Sequence, residues 1–271
     1  MFWNLGKQRL EATVARLVVL HRIDVLALAE CTIDDSVFLR DVDRLGGEGY
    51  RGVATASTLR LYVRASLREL ALVLEGHRYT IRQLELEDGV PILFAAAHLP
   101  SKAKWSPASI AQECVALSRA VRRAEREKGH RRSLLAGDLN LNPYEDGLIA
   151  AGALHAVPTR TLAAERSRRV QGVSYPMFYN PMWNFFGDET PGPPGTFFRR
   201  ASEHVGEFWN MYDQVLVRLD LLSRFDTSQL RILVDDGAVP FHTPHGRPSI
   251  SLASDHFPIV FGLNDETQES Y

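Results

Sequence analysis

Apolar and polar positions alternate along this chain in short blocks, interrupted by two longer stretches with helical spacing. Phe2 to Leu5 reads as a short strand, and residues 7–21 set Leu10, Val14, Leu17, Val18 and His21 on one helical face with Arg and Glu between them. Ile23 to Ala29 is an apolar run of strand length that ends at Glu30. This strand–helix–strand opening predicts an α/β fold. From residue 49 to 98 the period becomes that of strands, at 51–55, 59–64, 69–75, 78–87 and 91–97, the last running into His98. Glu75-Gly76-His77 and Asp88-Gly89 supply turns between them. Residues 107–128 predict a long amphipathic helix with Ile110, Cys114, Leu117 and Val121 on its buried face. Further strands are expected at Leu134–Ala136, Gln214–Val217, 230–234 and 257–262.

Between about 155 and 210 regular pattern fades into the aromatic run Tyr175 to Phe186 and the turn-rich Pro191 to Thr196. A loop of this length either carries function or packs its aromatics over a sheet edge. No internal repeat or composition break divides the chain, which reads as one domain over 1–265 with a short tail at 266–271.

Composition narrows the partners. The 271 residues carry a net charge of -2 with 45% hydrophobic content, ordinary for a protein with a real core. Such a balance gives no global attraction to polyanions or membranes, so nucleic-acid binding would need a local patch. The end of the long helix offers one, Arg119, Arg122, Arg123, Arg126, Lys128, Arg131 and Arg132, although a solvated helix end has the same pattern and suits the helix dipole. Lysines are few (Lys7, Lys102, Lys104, Lys128), and the arginine excess suits phosphate recognition as well as simple genome composition. Cys31 and Cys114 form no disulfide framework or metal-binding pair. No stretch reaches the roughly 20 apolar residues of a membrane span. Asn4, a candidate site residue, lies too near the start for a removable leader. The expectation is a soluble cytoplasmic protein with no membrane partner.

Polar residues with chemical potential sit at the ends of the apolar strands: Asn4, Glu30, His98, Asp138 with Asn140, Asp213, and Asp255 with His256. Ligands of α/β folds gather where strands end. Asp138 and Asn140, two apart on an extended chain, face the same side. Carboxylates, an amide and a His-Asp pair are what a protein needs to hold a divalent cation, grip a phosphate and activate water. Singly, each has a plainer reading: Glu30 as a helix cap, Asp213 as the start of a strand, His98 as a core histidine. Their shared placement joins them.

The motifs Phe2-Trp-Asn4-Leu, Leu26-Ala-Leu-Ala-Glu30, Ala97-His98-Leu99, Gly137-Asp-Leu-Asn140, Tyr212-Asp213-Gln-Val-Leu and Ser254-Asp255-His256-Phe-Pro258 resemble, in order, those of the endonuclease/exonuclease/phosphatase superfamily. That superfamily includes deoxyribonuclease-I-like nucleases, abasic-site endonucleases, neutral sphingomyelinases and inositol-polyphosphate phosphatases. The resemblance implies a four-layer α/β sandwich, two packed mixed β-sheets flanked by helices. It implies Mg²⁺ or Mn²⁺ held chiefly by Glu30, with Asn4 and Asp255 completing the shell. It implies a dyad in which Asp213 orients His256 as the base. Asp138 would orient the nucleophile or protonate the leaving oxygen, and Asn140 and His98 would hold phosphate oxygens. Departures are Ala29, where the family commonly has Gln, and Leu139 in place of a frequent Phe. A glutamate partner for His98, present in some secreted members, is open among Glu69, Glu75 and Glu85.

For the substrate, Lys102 and Trp105 just after His98 suit phosphate and base, and Thr196 with Arg199 and Arg200 belongs to a possible opposite wall. The favoured reading is a metal-dependent nuclease with DNA or RNA as substrate. A phosphatase or phosphodiesterase for a small phosphorylated metabolite or lipid headgroup is the alternative enzyme, and a catalytically silent binding module the alternative class.

Overall fold

Two mixed sheets face each other with helices outside both. The computed structural model describes residues 1–67, 70–200, 202, 204 and 206–264. The chain opens with β1 (Phe2–Asn4), α1 (Glu11–Leu20), β2 (Val25–Ala29), α2 (Asp35–Arg44), β3 (Tyr50–Val53) and β4 (Arg60–Arg64). It crosses to the second sheet with β5 (Ala71–Gly76), β6 (Tyr79–Glu85), β7 (Pro91–His98), α3 (Pro107–Lys128) and β8 (Ser133–Asp138). Short pieces follow: α4 (Asp146–Ile149), β9 (Ala156–Val157), α5 (Arg160–Ala164), the hairpin β10 (Ser167–Val170) and β11 (Val173–Pro176), β12 (Phe178–Tyr179), and the pair β13 (Phe197–Phe198) and β14 (Trp209–Asn210). β15 (Asp213–Arg218), β16 (Phe225–Ile232) and β17 (Ile259–Leu263) complete the fold. The first sheet runs β16-β17-β1-β2-β4-β3 and the second β5-β6-β7-β8-β15-β12-β9.

Period-two alternation builds the layers. Phe94 and Ala96 of β7, Leu134 and Ala136 of β8, and Val215 and Val217 of β15 join the core shared with the first sheet, together with Phe2, Leu26 and Leu28. Their neighbours Leu93, Ala95, Leu135 and Leu216 face the other way, onto Ile110, Cys114, Leu117 and Val121 of α3. α1 and α2 cover the outside of the first sheet through Val14, Leu17, Val18, Phe38 and Val42. The result is the expected four-layer α/β sandwich.

Several boundaries differ from expectation for local reasons. α1 begins at Glu11, because Gly6 and Lys7 take positive φ (53° and 63°) and the Lys7 amide donates to Glu30 O at 3.0 Å. α2, absent from the sequence reading, buries only Phe38 and Val42 and is started by Asp34, whose carboxylate accepts from the Ser36 and Val37 amides. Half-exposed β16 starts at Phe225, ahead of the expected 230–234, since its first half, Asp226 to Gln229, is polar. The faded region 155–210 resolves into two-to-five-residue elements whose Phe178, Tyr179 and Met182 are buried in the cores. Glu69 and the tail at 266–271 lie outside the described residues.

One buried ion pair pins α3 to the second sheet. Arg218 Nε of β15 donates to Glu125 Oε1 at 2.8 Å with both side chains 3% exposed, and Nη1 donates to Pro176 O at 3.0 Å. The guanidinium also sits 3.7 Å above the Phe178 ring. Removing one partner of such a pair strands a buried charge, so Glu125→Ala is expected to lose about 3–5 kcal/mol in urea unfolding. A loss below about 1 kcal/mol, the level of an exposed pair, would contradict this burial.

Candidate active site

Strand register assembles the first three site residues. β7 and β8 run parallel with His98 opposite Asp138, and β15 runs antiparallel to β8 with Asp213 opposite Asp138. His98, Asp138 and Asp213 therefore stand side by side at one level of the sheet. Gly137, one residue earlier, lies against the Ala97 backbone so closely that a Cβ would fall 2.1 Å from Ala97 O.

Asp138 is the hub. It is almost fully buried, and Asn4 Nδ2, from the end of β1 in the other sheet, donates to its Oδ2 at 2.8 Å. The Asn140 amide donates to its Oδ1 at 3.0 Å, in a turn where Asn140 takes a φ of 51°. Asn140 Nδ2 in turn donates to Leu99 O at 2.9 Å. His98 Nε2 lies 3.8 Å from Asp138 Oδ2 and 3.9 Å from Glu30 Oε1. Glu30 follows β2 directly, in a left-handed conformation (φ 46°), with its carboxylate one-third exposed. Among the described residues, the carboxylates facing His98 are those of Glu30 and Asp138. Glu75 is engaged by Thr55, Ala56 and Arg82, and Glu85 pairs with Pro91 at the far end of β7.

The second half of the site bridges the sheets. His256 Nδ1 meets Asp213 Oδ2 at 2.8 Å, and His256 Nε2 lies 4.0 Å from Asp138 Oδ2. The loop before β17 is tied down by Trp3 Nε1 donating to His256 O at 2.8 Å and by Ser254 Oγ donating to Asn4 O at 2.7 Å. The Phe197 ring lies 4.8 Å from the imidazole. Burial opposes a charged imidazole, yet the carboxylates of Asp213, Asp138 and Asp255 push His256 up to about 10. Burial likewise raises Asp213, opposed by His256.

Other expected residues fall at varying distances from this network. Asp255 is partly exposed, and its Oδ1 would lie 2.8 Å from a Cβ on Gly6, which keeps that turn open for it. Lys102 Nζ is held by Glu145 Oε1 at 2.5 Å and sits 5.1 Å from the Tyr212 ring. Trp105 is exposed, with the Arg78 guanidinium 5.8 Å above it. Thr196 is fully buried beneath the dyad, where its Oγ1 accepts the Asp213 amide at 3.1 Å. Asn142, Asn210 and Glu145 went unread in the sequence. Asn142 Oδ1 accepts the Met211 amide at 2.8 Å and its Nδ2 donates to Asn210 Oδ1 at 3.0 Å, stitching the loop after β8 to the start of β15. Glu145 Oε1 accepts the Asn142 amide at 2.6 Å. The signal for Asn142 was present, an asparagine two beyond Asn140 and directly before Pro143.

The donor set suits a hard divalent cation, which takes carboxylate and amide oxygens. Glu30 offers an accessible carboxylate one residue beyond Ala29, the strand partner of Asn4, and Asp138, Asp213 and His256 form a buried group whose ligand atoms lie within 4.8 Å of one another.

Two facing mixed sheets, with an acidic, amide and imidazole cluster where the strands of both end, define a deoxyribonuclease-I-like sandwich. The chain belongs to the Endonuclease/Exonuclease/phosphatase family, whose profile matches residues 1–256. Members of this family are metal-dependent hydrolases of phosphoester bonds. Similar solved structures include the endonuclease domain of TRAS1, a telomere-specific non-LTR retrotransposon (14% identity, TM-score 0.56, covering 97% of this chain and 96% of that one). D. rerio TDP2 complexed with a single-strand DNA product gives 15% identity and a TM-score of 0.55, with 97% of each chain covered. The human Nocturnin catalytic domain with bound sulfate gives 16% identity and a TM-score of 0.55, covering 93% of this chain and 85% of that one. These likenesses show the fold. No curated protein sequence gives a significant match.

Proposed function

We propose that this chain is a divalent-metal-dependent phosphodiesterase acting on nucleic acid, DNA or RNA. The observation that carries the reading is the His256–Asp213 pair at 2.8 Å with Asp138 4.0 Å from the other ring nitrogen. In this reading Asp213 fixes the tautomer, leaving His256 Nε2 as the atom that takes a proton from the attacking water. Asp138, held by Asn4 and the Asn140 amide, aims that water or returns a proton to the leaving oxygen. His98 and the second N–H of the Asn140 side chain, whose first goes to Leu99 O, donate to phosphate oxygens as charge builds on them. Glu30, with Asn4 and Asp255, would hold a Mg²⁺ or Mn²⁺ ion, which would supply Lewis-acid polarisation of the phosphate and positive charge that favours the neutral form of His256.

Nucleic acid is favoured by the surroundings. Exposed Trp105, Phe208 and Tyr144 suit stacking on bases, and Lys102 near Trp105 suits a phosphate. The printed descriptions of two fold relatives, an endonuclease domain and a complex with a single-strand DNA product, point the same way. Lys102 and Trp105 are taken as substrate contacts, whereas Thr196 supports the site from beneath. No helix among the described residues is long and apolar enough to cross a membrane. Residues 1–265 act in this reading as one domain, since β1 pairs with β17 across nearly the whole chain.

The reading is tested with Glu30→Ala on plasmid, single-stranded oligonucleotides and a panel of phosphate monoesters. The Mg²⁺ concentration for half-maximal cleavage should rise at least about 10-fold, the lower bound for losing even an outer-shell partner. An unchanged metal titration would move the metal off Glu30, and turnover confined to monoesters would replace the nuclease reading with the phosphatase one.

A further inference from the structure

A trough of about 680 Å³ lies along the second half of α3, facing Gly152 and residues 174–176 of β11. It is remote from the site just described. His130 and Arg131, which line it, precede β8, whereas Asp138 ends that strand, ~17 Å further on at 3.3 Å per residue. Arg119, Arg122 and Arg126 point along the trough from one face of the helix, ~4.5 and ~6 Å apart along its axis. Arg131 continues the row beyond the helix end.

The charge here is uncompensated. Among the described residues, Arg119, Arg126 and Arg131 pair with no carboxylate, and the lining carboxylate, Glu125, is already engaged by Arg218. Arg122 lies 5.8 Å from the Tyr175 ring, and burial with the neighbouring charges of Arg119 and Arg126 lowers it below the ordinary guanidinium range. One buried N–H group of the trough's lining and one in the wall behind it also lack an acceptor among the described residues. His130 Nδ1 accepts the Arg132 amide at 3.2 Å, so its neutral ring carries the proton on Nε2, and that atom is buried and unpartnered. Arg218 Nη2, between Glu125 and Pro176, is buried and unpartnered as well. A merely solvated helix end would neither half-bury Arg122 nor leave donors unpaired in the wall beneath it.

We propose that this trough is a second anion site, holding the phosphodiester backbone of a nucleic-acid strand away from the point of cleavage. The linear row of guanidiniums favours a linear polyanion over a compact one, and the choice of nucleic acid rests on the nuclease reading above. A strand touching both sites spans at least about five nucleotides at 3.4 Å each.

The test is fluorescence anisotropy with a labelled 20-nucleotide single strand, in EDTA, using a His256→Asn background so that nothing is cleaved. Arg119→Ala with Arg126→Ala, both at exposed positions, should make the slope of log K against log salt less negative by about 1.4, at 0.7 per phosphate contact. Over the decade from 1 M to 0.1 M salt that is about a 25-fold loss of affinity. With His256 restored, hydrolysis of bis(p-nitrophenyl) phosphate should be unaffected by the same two changes. Unchanged affinity and slope would overturn the proposal. So would displacement of the strand by inorganic tripolyphosphate at a small fraction of the strand's phosphate concentration, which would mark a compact-polyanion pocket. A protein that binds strands through these arginines but cleaves none would refute the nuclease reading alone.

Discussion

Replacing His256 is expected to lower turnover at least about 100-fold, the usual minimum for removing a general base. His256→Ala also strands the fully buried Asp213 carboxylate, so part of its effect would be structural. His256→Asn separates the two. Its side-chain amide can still donate to Asp213 Oδ2, where His256 Nδ1 sits at 2.8 Å, but cannot take a proton from water. The main-chain ties of residue 256, to Trp3 Nε1 and to Ser254 Oγ, survive either change. The asparagine variant should therefore melt close to the parent and still lose the rate. Turnover within 10-fold of the parent would remove His256 from the chemistry.

Gly137→Ala is expected to damage fold and rate together. A Cβ there would fall 2.1 Å from Ala97 O, 2.8 Å from Ala97 C and 3.1 Å from Ala97 N. None of these atoms is the movable end of a side chain, and Ala97 is locked between Tyr79 and Gly137 in the middle of the sheet. β7 and β8 must separate, and the next pair along the ladder is His98 with Asp138. Overpacking of a tight core costs about 1–3 kcal/mol, which for a domain of this size is several degrees of Tm at about 2–4 °C per kcal/mol. A displacement of ~1 Å at the hub carries a further loss of order 100-fold in rate. Thermal melting beside turnover of the folded fraction checks both. A variant with parental Tm and parental rate would mean that the two strands are not in this contact.

The sequence marked the site residues but not the distances between them. Asn4, Glu30, His98, Asp138, Asp213 and His256 could each be located at a strand end because apolar runs stop there. That His98, Asp138 and Asp213 share one register level is a property of strand order, and β7, β8 and β15 become neighbours only in three dimensions. The same limit governs Lys102 and Thr196. Each looks free in sequence, yet Glu145 holds the first and the Asp213 amide engages the second. Glu75 and Glu85 were open as partners of His98 for the same reason, since nothing local reveals that Thr55 and Arg82 engage the former. α2 escaped notice because it is only ten residues long and mostly polar, although Phe38, Val42 and the half-buried Leu39 do form an apolar stripe on it. The short elements between 155 and 210 are held by tertiary pairing, as in Phe178 with Arg218, and not by any pattern of their own. The four layers were legible through the family resemblance, β7 and β8 directly as apolar runs, and α3 through its helical period.

The most direct measurement is nicking of supercoiled plasmid by the purified protein in Mg²⁺ or Mn²⁺, with EDTA and the His256→Asn variant alongside. The account predicts nicking that needs the metal and disappears in the variant. Nicking that persists in EDTA or in the variant would contradict the site assignment, and phosphate release from small esters with an untouched plasmid would contradict the nuclease.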